Sequence, residues 1–215
     1  TESGDSNLAV EWITKAANAD HSSAQYALGK LYRDGVYFEK DIDQAMKWFR
    51  SSAELGNAYA AYQMGQLLLF GEGGSKDVET AMKWLKMSSE KGNSIAQYRL
   101  GMLYLKGEEI PVQVEEAVKW LQQAADQGYE WAFYQLGKLY LCGKDIPCDR
   151  QKAMEYLTTS AEQGNIYAQF LLDHLDSFQN PSLFLAATRL LHQLERVFQQ
   201  DVQRSLGVSR NPIDR

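Results

Sequence analysis

One short phrase recurs five times at intervals of 36 residues, with no insertion, and this restricts the chain to a repeat architecture. The copies AQYALGKLY, AAYQMGQLL, AQYRLGMLY, AFYQLGKLY and AQFLLDHLD begin at Ala24, Ala60, Ala96, Ala132 and Ala168. A second phrase keeps the same period: AMKWF, AMKWL, AVKWL and AMEYL begin at Ala45, Ala81, Ala117 and Ala153, with AVEWI leading at Ala9. Gly29, Gly65, Gly101 and Gly137 share one phase, and Asp173 takes the fifth place.

Both phrases have helical spacing. Ala96, Leu100, Leu103 and Tyr104 fall at i, i+4, i+7 and i+8, and Ala117, Trp120, Leu121, Ala124 and Ala125 also share one face. Gly107 and Gly128 follow the two helices, where a left-handed cap favours glycine. Each unit is therefore helix A, a loop, helix B and a short turn, with helices of about 13 residues, roughly 20 Å long. The mid-helix glycine costs about 1 kcal/mol against alanine. Its return in one phase predicts a close approach of helix A to helix B and to the next helix A. The predicted fold is all-α, a right-handed α/α superhelical solenoid of antiparallel helix pairs. Residues 1–176 form the solenoid, with a half repeat at 7–20 and repeats starting near 21, 57, 93, 129 and 165. Residues 177–215 form a C-terminal capping helix and a basic tail.

The pattern A-x-x-x-L-G-x-x-Y-x-x-G, then A-x-x-W-[LF]-x-x-[AS]-[AS]-x-x-G-N, resembles the SEL-like repeat family, a relative of the tetratricopeptide repeat. The likeness covers Ala9 to about Asp176, with departures at Leu68, Tyr156 and Asp173. It implies an adaptor or scaffold for protein complexes. The end of the chain, AQFLLDHLD through PSLFLAATRLLHQLERVF to IDR, is similar to the tail of conjugative relaxases on mobile elements of gut Firmicutes. That likeness implies the non-catalytic part of a mobilisation protein in a bacterial cytoplasm. No nicking residue is carried over.

The two ends differ. A B helix from roughly Asn7 to Asn18 has no A helix before it, so an upstream repeat is expected to be missing. A long helix is expected from Pro181 to about Arg204, with Leu183, Ala187, Leu190, Leu194 and Val197 in one stripe. It reads as a cap on the last repeat, or as a helix for a partner or a second copy. The oligomeric state stays open.

Charge and composition narrow the function. The net charge is -6, with Lys+Arg 22 against Asp+Glu 28, which opposes direct phosphate-backbone binding. No run of 18 apolar residues spans a membrane. Position 1 is Thr, which fits a chain processed or cut from something longer. His21, His174 and His192 stand far apart, and no HExxH or Cys/His cluster exists. Cys142 and Cys148 flank one loop and read as free thiols, with a local disulfide or a metal site with Asp145 or Asp149 as the alternatives. The GEGG at Gly71 to Gly74 lacks the Lys-Ser/Thr of a phosphate loop. No cofactor motif is present.

The candidate site is the concave groove lined by A helices, for a protein or peptide ligand. Counted from the glycine phase, position -6 offers Tyr59, Ile95, Trp131 and Tyr167, and -3 offers Tyr62, Tyr98 and Tyr134. Position +1 adds Met102 and Lys138, and +4 adds Leu69 and Leu105. Tyr59, Ile95, Trp131, Leu69 and Leu105 are expected to meet solvent, and Tyr and Trp dominate interface hot spots. The -3 tyrosines have a second reading, as packing between adjacent A helices. Trp131→Ala is expected to remove binding without unfolding.

Overall fold

A computed structural model describes residues 2–143 and 146–175. The chain divides into two compact units, residues 1–127 and 128–215. The first holds α1 (Glu2–Asn18), α2 (Ser22–Asp34), α3 (Ile42–Glu54), α4 (Ala58–Phe70), α5 (Val78–Glu90), α6 (Ser94–Lys106) and α7 (Val114–Asp126). The second holds α8 (Glu130–Cys142), α9 (Arg150–Glu162) and α10 (Ile166–Asp173). There is no strand among the described residues. Even-numbered helices are A helices and odd-numbered ones are B helices. Helices α2 to α9 are each 13 residues long, the length the periodicity predicts.

Turn chemistry sets the register. Asn57, Asn93 and Asn165 cap α4, α6 and α10, each accepting from the backbone N–H groups two and three residues on. Asp41, Asp77 and Asp149 cap α3, α5 and α9 through the N–H three residues on. His21, Gln113 and Tyr129 stand at the same places without a side-chain cap. Gly107, at φ +68°, ends α6 and donates its N–H to Leu103 O. That left-handed conformation suits glycine. Ser52, Ser88 and Ser160 on the B helices donate to Ser22 O, Ala58 O and Glu130 O at the start of the preceding A helix. Each tie spans 30 residues and is the hydrogen-bonded counterpart of the 36-residue period.

The mid-helix glycines are contact points. A Cβ on Gly101 would lie 2.8 Å from Leu121 Cγ and 3.1 Å from Ala117 O. Gly65 meets Leu85 and Ala81, and Gly137 meets Leu157 and Ala153, in the same way. The close approach is to the B helix of the same repeat; the next A helix, also expected there, is not among the nearest atoms. Ala60, Ala96, Ala132 and Ala168 are fully buried one turn earlier. Ala45, Phe49 and Ala53 of α3 join Ala60, Ala61, Met64 and Leu67 of α4 in one apolar cluster. In the second unit, Tyr134, Leu157, Ala168, Leu171 and Leu175 form another.

At the N-terminus, α1 begins at Glu2, earlier than the expected Asn7. Leu8 and Trp12 on it are exposed. The expected helix from Pro181 to Arg204, the basic tail, Asp145 and the side chain of Cys142 lie outside the described residues. Cys148 is exposed and free. Gly73 of the GEGG loop sits against α3, where an added Cβ would come within 2.7 Å of Ile42 Cγ2. Among the described residues no helix is long and apolar enough to cross a membrane, and no group of three or more metal-ligating side chains converges.

Candidate partner-binding face

In an A helix the glycine points at its B helix, and at about 100° per residue positions -6, -3, +1 and +5 turn away from the buried arc. In the first unit this face belongs to α2, α4 and α6. Tyr59 is 58% exposed, with its ring 6.2 Å from that of Tyr26 on α2. Tyr26 packs in turn on Phe49 of α3 at 5.9 Å. Tyr62, Ile95, Tyr98, Met102 and Leu105 are half-buried.

Leu69 corrects the sequence reading. It is only 3% exposed and lies in a core cluster with Ala81, Leu85 and Leu103. Position +4 leans toward the helix pair α5 and α6, which covers it. In the second unit, Tyr134 is 1% exposed, so the packing reading describes it and a solvent-facing one does not. Its ring lies 6.1 Å from Trp131 and 6.2 Å from Tyr167, both half-buried, and Lys138 Nζ stands 5.0 Å from its centroid. Trp131 and Tyr167 are themselves 6.1 Å apart, so these three aromatics form one cluster.

Two of the polar groups on the first unit's face, Gln63 and Arg99, stand at position -2, which the sequence reading passed over. Gln63 on α4 accepts from Arg33 Nη1 of α2 at 2.6 Å, while Arg33 Nε donates to Asp34 Oδ1 at 2.7 Å. Arg99 on α6 holds its guanidinium 5.3 Å from the Phe70 ring on α4. Position -2 thus meets +4 or +5 of the preceding A helix. Gln66 donates to the Tyr62 hydroxyl at 2.6 Å. Burial pushes the Tyr62 phenol up from its ordinary value, and the Gln66 hydrogen bond and the Arg99 charge only partly offset this. Helices α2, α4 and α6 carry Lys30, Arg33, Arg99 and Lys106 against Asp34 alone, a balance of +3 in a chain of -6. Away from this face, Val78, Met82, Tyr104 and Ile110 line an apolar cleft of about 520 Å³, which the sequence reading also missed.

The profile of the Sel1 repeat matches residues 2–21, 22–57, 58–93, 94–129 and 132–165. The chain belongs to the Sel1 repeat family. Sel1 repeat proteins generally act as protein-interaction scaffolds. A Sel1 repeat protein from Oxalobacter formigenes is 36% identical with a TM-score of 0.70, over 75% of this chain and 66% of that one. The protein c5321, a protective antigen of uropathogenic Escherichia coli strains displaying an SLR fold, is 29% identical with a TM-score of 0.74, over 95% of this chain and 46% of that one. The immunity protein Pa5087 from Pseudomonas aeruginosa is 27% identical with a TM-score of 0.51, over 81% of this chain and 66% of that one. This Sel1 repeat chain thus spans just under two thirds of the first relative and under half of the second. No curated protein matches it significantly. Its fold class is an all-α solenoid of repeated helix pairs.

Proposed function

We propose that this chain is a non-catalytic scaffold that holds a partner protein or peptide against its A helices. The supporting observation is Tyr59, a large aromatic left 58% exposed beside a row of half-buried aromatic and cationic side chains. Residues of that kind supply most of the energy at protein interfaces. In the second unit Trp131 and Tyr167 are the corresponding candidates, with Lys138 beside them.

Tyr59 is the cleaner probe, because Trp131 also packs on the core of its unit. A partner captured from the native host is purified and titrated calorimetrically against wild type and Tyr59→Ala. The expected loss is about 2 kcal/mol or more, the size of an interface hot spot, with an unchanged thermal transition. Equal affinity for both proteins would sink the assignment of the face. The relaxase reading rests on the sequence of residues 168–215 and requires a nicking domain encoded upstream.

A further inference from the structure

Among the described residues Arg99 is a cation without an anion. Its Nε is buried and meets no acceptor, and no carboxylate among the described residues pairs with it. Arg33, on the preceding A helix but one, is held by both Asp34 and Gln63. Helices α4 and α6 contain no acidic residue at all, so neither helix between which Arg99 lies can neutralise it.

A second incomplete group on α4 reaches Arg99 through Tyr62. Gln66 is 3% exposed, one end of its amide is engaged by the Tyr62 hydroxyl, and its Oε1 is buried with no partner. Turning the amide over moves the orphan to the nitrogen and does not remove it. Tyr62 links the two groups, since it bonds Gln66 and feels the Arg99 charge. A guanidinium N–H with neither acceptor nor counter-charge favours an incoming anion.

We propose that this face takes an extended acidic peptide, with an Asp or Glu carboxylate of the partner on Arg99 and an apolar side chain further along it on Tyr59. This rests on the docking face proposed above and adds the chemistry of its occupant. A carboxylate matches the guanidinium fork with two parallel hydrogen bonds, and desolvation over Phe70 strengthens the pair. The +3 balance of α2, α4 and α6 suits one or two carboxylates. A long polyanion would meet the acidic remainder of a chain of net charge -6.

The test pans the full chain against a displayed library of random dodecapeptides and measures the enriched sequences by fluorescence polarisation. Asp and Glu should be over-represented. Arg99→Met keeps the packing on Phe70 and should weaken binding about 10- to 100-fold, the range of a hydrogen-bonded charge. Arg99→Lys should recover part of that loss, and binding to wild type should weaken with salt. Enriched peptides that lack acids yet lose binding on Tyr59→Ala would overturn the acidic partner and leave the docking face standing. Peptides indifferent to both Tyr59 and Arg99, or no enrichment at all, would count against both. A single-stranded oligonucleotide held through Arg99 more tightly than any acidic peptide would also overturn the proposal.

Discussion

Replacing Gly101 by alanine should destabilise the chain, although alanine is the better helix former by about 1 kcal/mol. The new Cβ would stand 2.8 Å from Cγ of Leu121 and 3.1 Å from the backbone oxygen of Ala117. Leu121 is fully buried, so its branch carbon has little room to swing away, and the carbonyl moves only with α7. Overpacking of this kind costs about 1–3 kcal/mol. With contacts this short we take the upper half of that range, which leaves a net loss of about 1–2 kcal/mol after the propensity gain. Gly101→Leu should lose more. The assay is urea denaturation followed by circular dichroism, with the slope unchanged and the midpoint lowered. A double-mutant cycle sharpens it. Leu121→Ala alone costs about 2–5 kcal/mol, but in that background the main clash is gone. Gly101→Ala should then stabilise by up to about 1 kcal/mol, so the substitution changes sign. A Gly101→Ala protein more stable than wild type would refute the idea that this glycine exists for helix contact.

His21 caps α2 with extended backbone but no side-chain hydrogen bond, so His21→Asn should reproduce the Asn57 cap and raise stability by about 0.5–2 kcal/mol in the same denaturation assay. Ser88 is fully buried and bonds Ala58 O at 2.6 Å, so Ser88→Ala should cost about 0.5–1.5 kcal/mol, readable as a lower midpoint. Tyr62 has a folded-state pKa raised above the ordinary 10.0, chiefly by burial. The folded state therefore holds its proton longer than the unfolded state does. That contribution is fully present below about pH 10 and is lost as pH rises toward the folded value. Tyr62→Phe should lessen the alkaline fall in denaturation midpoint and take one residue from the late-titrating tyrosines, which also include Tyr26 and Tyr104, in the tyrosinate absorbance titration.

Periodicity made the fold legible because one constraint recurs at every copy. A glycine at a 2.7–2.8 Å approach and fully buried alanines cannot be exchanged without moving a helix, so they repeat in the sequence. The candidate face was less legible. A single-helix stripe treats each A helix as half covered by a B helix and half open. In the stack, the next A helix also covers position +4, which buries Leu69, and the preceding one meets -2, where Gln63 and Arg99 sit. Position -2 reads Ala27, Gln63, Arg99 and Gln135, with no shared chemistry to flag it. The burial of Tyr134 is a matter of neighbours too, since its ring packs among Trp131, Tyr167 and Leu171.

The contacts that lock the register and the groups that face outward are nearly disjoint sets. Ser88 to Ala58, Asn93 to Ile95 and Ala96, and Gln97 to Ser89 all lie on the turn and B-helix side. Gly65 and Gly101 pack on α5 and α7. None of these needs a cation on the opposite side of α2, α4 or α6. If the fold alone governed that side, a neutral side chain would serve it better than Arg99 with an unmet Nε. Arg99 takes no part in those register contacts; its guanidinium lies over Phe70 of α4. A bound carboxylate would give the Arg99 guanidinium the counter-charge that no described residue provides.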